Sequence, residues 1–477
     1  MVAARTILAA GLAAVVVGGG VAAALRSPDP APAFVRDDEG RAVVANGFNT
    51  ASSSKSAPDG MPDFTEDDLA RESADMGTDF VRFLISWRKV EPEPGTYDQA
   101  YLDDVAERVD WYAERGYRVM LDMHQDLWGG AITPSGDTGN GAPAWATHLD
   151  GLPVRDHDMW ELYYLEPGVI RAFDHFWGTT GEHPELMDHY AGAWRAVAER
   201  FAGVDAVVAY DLMNEPYGGT VQGPQFEAGP LTELYRRTVS AIREADPDTW
   251  ACLEPQAMGY NWGLPSGLRP VDDPRPGEDR IAFCPHLYPL PMDLGDGFTG
   301  TSRTLVEGTV DAWAANTART ARALGDVPVI LGEFGLDTTL PGALDYLDLV
   351  HRTADGAGMG TVYWSSDPGS WGPYEAGGTP RNLIGAVERP YPRAVAGDLR
   401  GWTADDDALT IRFGPRGAGG DGAAAATGAL SEAYLPADAF PDGGQVDGGT
   451  VEGWDPATRV MTFRADPGAT VVTIRPA

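Results

Sequence analysis

Cysteine is almost absent: Cys252 and Cys284 are the only two in 477 residues, so no disulfide framework holds this fold together. They either form one bridge or stay as two buried thiols, since both sit in apolar, strand-like runs where cysteine behaves as a small hydrophobe. Positive charge is also scarce. The 35 basic residues face 71 acidic ones, and the resulting formal charge of −36 repels phosphate backbones and anionic headgroups, which argues against nucleic acid as a partner. Lysine is rarer still, with Lys55 and Lys89 the only examples. No repeat of solenoid or propeller period occurs, and after residue 34 no apolar run is long enough to cross a bilayer. The rest is ordinary globular usage, 43% apolar and 22% charged, which excludes collagen-like and disordered chains. The length suits two or three domains, or one large barrel with an appendage.

The one long apolar run is N-terminal. Arg5 precedes an Ala/Val/Leu/Gly stretch over 7–25, followed by Arg26 and a Pro-rich segment, 27–32, which is the layout of an export signal. Ala22-Ala23-Ala24 and Ala31-Pro32-Ala33 offer cleavage patterns. The run is long for a signal and just long enough to span a bilayer, so an uncleaved anchor is the alternative. Either reading makes residues 1–33 a leader and the protein secreted or extracellular.

From residue 43 to 367, short runs rich in β-branched and aromatic residues recur: 43–50, 79–85, 118–126, 207–215, 249–256, 281–288, 327–334 and 361–366. Amphipathic segments such as 102–115, 189–201, 231–245 and 312–324 lie between them. Eight strands alternating with helices predict an α/β fold, a parallel (β/α)8 TIM barrel over 34–392. After Pro392 the pattern changes to alternating strands, for example Leu409-Thr410-Ile411-Arg412-Phe413, and predicts a small C-terminal antiparallel β-sandwich over 393–477, with the Gly/Ala-rich stretch 414–428 as a loop.

Each run begins plainly and ends in polar, aromatic or acidic residues, as in Met123-His124-Gln125-Asp126 and Pro285-His286-Leu287-Tyr288. Side chains at the C-terminal strand ends of such a barrel converge on its active site. Two carboxylates stand out there, Glu215 in Met213-Asn214-Glu215-Pro216 and Glu333 in Gly332-Glu333-Phe334-Gly335, closing the fourth and seventh runs. An acid that protonates a leaving oxygen, facing a carboxylate on the other side, is the equipment of glycoside hydrolysis. A protein that only binds sugar or lipid needs no such pair.

The Asn-Glu closing run four and the Glu closing run seven resemble glycoside hydrolase family 5. The segments Asn46-Gly47-Phe48-Asn49, Ser52-Ser53-Ser54-Lys55-Ser56, Asp122-Met123-His124-Gln125-Asp126, Asp211-Leu212-Met213-Asn214-Glu215-Pro216 and Pro285-His286-Leu287-Tyr288 narrow the resemblance to endoglycoceramidases and the related endogalactosylceramidases. It covers nearly the whole chain after the leader. The resemblance implies double displacement with retention, Glu215 as acid/base and Glu333 as nucleophile, their carboxyls about 5 to 5.5 Å apart. Glu215 then needs a raised pKa and Glu333 must be ionised. Arg82, in the second run, is the natural cation for Glu333, an ordinary barrel ion pair being the alternative. Asn214 is suited to the sugar 2-hydroxyl, Tyr288 to a hydrogen bond on the nucleophile, and His124 and His286 to sugar hydroxyls. In the resembling family a Lys after the first strand and the Asp of His-Gln-Asp grip the sugar next to the cleaved residue, which selects Lys55 and Asp126. Trp364 would lie under the sugar at the cleavage point and Trp160 would add a second platform, with core packing the alternative for both.

Asp122, His124 and Asp126 could suggest a metal site, but no His-x-x-x-His or second cluster completes a ligand set, so neither metal nor cofactor is expected. The third connection, 127–188, is far longer than usual and rich in aromatics, and a second cluster follows at 258–264. Such loops suit a lipid aglycone or transient contact with a membrane or micelle surface; stacking on sugars explains them equally well. The function expected is a secreted, monomeric retaining endoglycosidase that cuts glycosphingolipids between glycan and ceramide. The alternatives are an endogalactosylceramidase, or a cellulase-like endo-β-glucanase or β-glucosidase on the same scaffold.

Overall fold

The apolar runs become strands because branched and aromatic side chains, buried on both faces, suit a sheet covered by helices. In a computed structural model the structure is described for residues 32–133, 138–157, 160–405, 407–414 and 428–477; the leader up to Ala31 and residues 415–427 of the expected Gly/Ala loop lie outside the described residues. Nine strands form one sheet: β2 (Asn46–Asn49), β3 (Phe80–Ile85), β4 (Arg118–Met123), β5 (Val207–Asp211), β6 (Trp250–Leu253), β7 (Ile281–Phe283), β8 (His286–Leu287), β9 (Ile330–Phe334) and β10 (Gly360–Tyr363). Their order is β7-β6-β5-β4-β3-β2-β10-β9-β8, and every pairing is parallel. The two ends of the sheet, β7 and β8, are pieces of the single run 281–288, interrupted at Pro285, which has no N–H to give to a ladder. A parallel bridge between Phe283 and Val329 spans the break, so eight runs close a barrel.

Cys252 and Cys284 are free, buried thiols. They pack with Phe80, Met120, Ala209 and Val362, the small-hydrophobe role that their apolar surroundings suggested. The helices Gln99–Ala113, Leu186–Phe201 and Thr232–Arg243 fall within a few residues of their sequence positions. Helix Gly300–Ala323 starts twelve residues before the expected 312, because Val306 and Val310 are its only buried residues before Trp313 and so leave little apolar stripe to read.

Eight further strands follow: β11 (Tyr391–Val395), β12 (Leu399–Asp405), β13 (Ala408–Phe413), β14 (Ser431–Tyr434), β15 (Gly444–Asp447), β16 (Gly449–Asp455), β17 (Val460–Ala465) and β18 (Val471–Pro476). They make two antiparallel sheets, β11-β14-β17-β16 and β12-β13-β18-β15, around Trp402, Leu409, Ile411, Phe463 and Ile474. A fifth strand, β1 (Ala42–Val43), joins the first sheet by pairing antiparallel with β11. The segment 34–45 therefore does not belong to the barrel alone. Phe34, Ala42 and Val44 enter the sandwich core, whereas Val35 and Ala45 face the barrel cluster. The division expected after Pro392 falls inside β11. Among the described residues no helix is long and apolar enough to cross a membrane.

Candidate active site

Asp211 ends β5, and the chain then turns sharply through Asn214 and Glu215. Glu215 has φ +43°, a left-handed conformation that costs a non-glycine residue roughly 1–3 kcal/mol and persists only where neighbours enforce it. The enforcement is visible. Gln125 Nε2 donates to the Asn214 and Glu215 carbonyls at 2.8 and 3.0 Å, and the Glu215 N–H donates to Glu254 Oε2 at 2.8 Å. The Glu215 carboxylate accepts from Asn261 Nδ2 at 2.8 Å and lies 3.1 Å from His286 Nδ1.

Glu333 projects from β9. Its Oε1 accepts from the Tyr288 hydroxyl at 2.7 Å, and its Oε2 from Arg82 Nη1 at 3.2 Å. Oxygen atoms of Glu215 and Glu333 and a ring nitrogen of His286 lie within 4.8 Å of one another. Arg82 rises from β3 with no solvent exposure. Its guanidinium also meets Asp211, Asp122 and Glu254 at 2.8, 2.9 and 2.9 Å, and donates to Asn49 and Asn214. It is thus both the partner of Glu333 and the centre of a buried ion-pair cluster.

On the other flank, Lys55 Nζ is 2.9 Å from Asp126 Oδ2 and sits 4.2 Å above the Trp364 ring. His124 stacks on Trp364 with centroids 5.5 Å apart, its Nδ1 2.6 Å from Asp122 and its Nε2 3.3 Å from Asp126. Asn214 reaches His124 Nε2 at 3.5 Å and links the two flanks. The structure therefore joins Lys55, Arg82, His124, Asp126, Asn214, Glu215, His286, Tyr288, Glu333 and Trp364 in one network. The Trp160 backbone starts the short helix Trp160–Leu165, but its side chain lies outside the described residues.

The charges differ from expectation in one respect. Burial pushes the Glu215 carboxyl up, but the hydrogen bond and charge of His286 outweigh it and leave its pKa below the ordinary value. Burial, with the charge of Glu215, leaves Glu333 raised despite His286 and Arg82. Both directions run opposite to the raised acid and ionised nucleophile that the chemistry calls for. For Glu215 the cause is His286: burial disfavours the imidazolium charge, yet Glu254, Glu333 and Glu215 hold its pKa well above the ordinary imidazole range. Asp126 is held well below the carboxylate range, Lys55 and His124 overcoming its burial.

Several members were missed from sequence. Asp122, Asp211 and Glu254 were legible in principle, since an acid inside or at the end of an apolar strand needs a buried cation, and the chain offers Arg82. Asn49 and Asn261 carried no such signal. The aromatics of the third connection mostly do something other than line a mouth. Trp128, Phe173, Phe176 and Trp177 are buried and pack edge-on or tilted against Trp87, Tyr190, Tyr217 and Phe226, forming a core beneath the loop.

Among the described residues, three sets bring His and carboxylate ligand atoms together: Asp211/Glu254/His286, Glu215/His286/Glu333, and His175/Glu182/His183 in the third connection. In the first two, carboxylates pair with the Arg82 guanidinium: Asp211 and Glu254 in one, Glu333 in the other. Chemically the site offers two buried or half-buried carboxylates with an oxygen of each within 4.8 Å of the other, beside an imidazole and a guanidinium.

The sequence profile of the cellulase family, glycosyl hydrolase family 5, matches residues 37–370. Endoglycoceramidase I of Rhodococcus hoagii (strain 103S) is 31% identical over 462 residues, covering 92% of this chain and 86% of that protein. Endo-glycoceramidase II from Rhodococcus sp. is 61% identical over 94% of this chain and 100% of that one. Its ganglioside GM3 complex superposes with a TM-score of 0.90 and its lactosyl-enzyme intermediate with 0.88. An endogalactoceramidase structure, 22% identical with a TM-score of 0.70 over 95% of this chain and 100% of that one, shares the fold.

Proposed function

The chain belongs to glycosyl hydrolase family 5, and from that starting point we propose that it is a retaining endoglycosidase of glycosphingolipids, hydrolysing the β-glycosidic bond between oligosaccharide and ceramide and releasing both intact. The observation that carries the chemistry is the approach of Glu215 and Glu333 to within 4.8 Å. That is the spacing of one oxygen from each carboxyl, the close pairing that double displacement needs, and the lactosyl-enzyme intermediate of endo-glycoceramidase II, 61% identical to this chain, supports retention here. Identity across nearly the full length with endo-glycoceramidase II, a GM3 binder with a lactosyl-enzyme intermediate, supports the substrate class over polysaccharide.

In the first step a Glu333 oxygen forms a bond to the anomeric carbon as the bond to the ceramide oxygen breaks, and Glu215 gives that oxygen its proton. Arg82 and the Tyr288 hydroxyl orient Glu333. The acid form of Glu215 arises by transfer of one proton from His286 Nδ1 across 3.1 Å, which leaves the total charge of the site unchanged. In the second step Glu215 takes a proton from water, whose oxygen attacks the anomeric carbon and frees Glu333. The oxocarbenium-like transition states gain from Asn214 at the 2-hydroxyl. Lys55, Asp126 and Trp364 bind the sugars, and the reaction calls for no cofactor.

Leu165 and Leu264, exposed on the connections after β4 and β6, are apolar side chains offered on the barrel's active-site end to a ceramide tail or micelle. Replacing both with Asp is expected to raise KM for micellar lactosylceramide several-fold and leave a water-soluble aryl lactoside untouched; equal effects on both would remove the lipid contact. Export belongs to the same reading, resting on the run 7–25 after Arg5, and N-terminal sequencing of protein from culture medium tests it.

The test of function is incubation with lactosylceramide and product identification by mass spectrometry. Intact lactose and free ceramide are expected. Loss of terminal galactose alone, or cleavage of cello-oligosaccharides only, would refute the ceramide-releasing activity.

A further inference from the structure

Glu254, the residue after β6, is almost wholly buried, and the double displacement gives it no part. Its position is nevertheless closely specified. The Tyr235 hydroxyl donates to the Glu254 carbonyl at 2.8 Å and accepts its N–H at 3.1 Å. Its carboxylate touches the acid/base through one oxygen, and the other stands at ion-pair distance, without a hydrogen bond, from the His286 ring that faces it. Oε2 accepts the Glu215 N–H at 2.8 Å, on the residue whose backbone is held at φ +43°. Oε1 accepts from Arg82 Nη2 at 2.9 Å and stands 3.3 Å from His286 Nε2, while the opposite ring nitrogen, Nδ1, is 3.1 Å from Glu215 Oε1. With Asp122, Asp211 and Glu333, Glu254 makes four carboxylates sharing one guanidinium, which is costly to bury, and an apolar side chain would fill the space without that cost.

We propose that Glu254 is the positioning residue of the acid/base: one carboxylate holds the turn that aims Glu215 and, by keeping a proton on His286 Nε2, leaves Nδ1 as the nitrogen that exchanges a proton with Glu215. The inference rests on the reading of this site as that of a retaining glycosidase. Its consequence is selective. Damage to Glu254 impairs the steps that need a proton moved and spares those that do not. Ceramide leaves as an alkoxide unless protonated, whereas 2,4-dinitrophenolate departs unaided. Azide attacks the glycosyl–Glu333 ester without a general base, forming the C1–N bond as the C1–O bond to Glu333 breaks.

The experiment compares wild type and Glu254→Gln on lactosylceramide and on 2,4-dinitrophenyl β-lactoside, with and without azide. For the variant, kcat/KM on lactosylceramide is expected to fall about 100-fold or more, and on the dinitrophenyl lactoside less than about 10-fold, the span attributed to a general acid. Azide is expected to raise the variant's kcat on the dinitrophenyl lactoside and yield β-lactosyl azide, with no such effect in wild type. Parallel loss on both substrates, or loss on neither, in a variant with native circular dichroism overturns the proposal. Should Glu254→Gln not fold, Glu254→Asp keeps a charge for Arg82 while withdrawing the carboxylate from the Glu215 N–H, and carries the same expectation. If neither folds, Glu254 serves the stability of the charge cluster and the proposal is wrong. Wild-type protein inert on both substrates overturns the functional reading and this inference with it, whereas active wild type with variants that lose both substrates equally overturns this inference alone.

Discussion

At the scale of single residues, Lys55 gives the sharpest test of how the sugars are held. It bridges Asp126 at 2.9 Å and covers the Trp364 ring at 4.2 Å, two contacts that sugar hydroxyls and a sugar face would compete for. If Lys55 grips the sugar beyond the one being cleaved, Lys55→Ala should lower kcat/KM on an aryl lactoside by roughly 10- to 100-fold, the worth of a charge-assisted hydrogen bond of about 1.5–3 kcal/mol. An aryl glucoside, which has no second sugar, should change only slightly, and equal losses on the two would place Lys55 elsewhere. Glu215 and Glu333 were legible in the sequence because each closes an apolar run with a charge that such a run does not otherwise tolerate. Their resting charges were not, because these depend on His286, which a sequence places on a strand end but not between two particular carboxylates.

At the scale of elements, helix Glu66–Met76 is tied to the turn after β10 by a buried carboxylate. Ser366 donates to Glu72 Oε2 at 3.0 Å and Thr78 to Oε1 at 3.2 Å, while burial pushes the Glu72 pKa from 4.5 up to about 7. The folded chain therefore binds this proton more tightly than the unfolded chain. Its contribution is fully present below about pH 4.5 and is lost as pH rises through about 7, on the order of 3 kcal/mol over that window. Glu72→Gln should remove this slope, so the melting temperature of the variant relative to wild type should rise between pH 5 and pH 8; a difference independent of pH would contradict the assignment. The same helix ends at Gly77, φ +62°, where a Cβ would strike the Tyr434 ring of β14. Eight barrel runs were readable because each is a continuous apolar stretch between turns. The loop core around Trp128 and Phe176 was not, since an aromatic in a long connection reads the same whether it faces a substrate or a neighbouring ring.

At the scale of the whole molecule, barrel and sandwich are joined by shared side chains rather than by a linker. Residues 34–45 alternate between the two cores, and buried Asp79 at the start of β3 is paired with both Arg118 and Arg393, at 3.1 and 2.9 Å. One calorimetric unfolding transition is expected, not two, and Arg393→Ala should destabilise it by about 1–3 kcal/mol, less than a fully orphaned buried charge because Arg118 remains. Two separated transitions would show that the sandwich folds independently. The division that composition suggested near Pro392 was blind to this, because a two-residue strand such as β1 leaves no periodic pattern. The central claim, a glycosyl-enzyme formed on Glu333 in a retaining endoglycosidase, is tested most directly by incubating the protein with 2-deoxy-2-fluoro-β-lactosyl fluoride and mapping the labelled peptide by mass spectrometry. One lactosyl adduct per chain on Glu333, absent from Glu333→Ala, is the expected result. An adduct on Glu215, or none under conditions where the enzyme turns over lactosylceramide, would contradict the assignment.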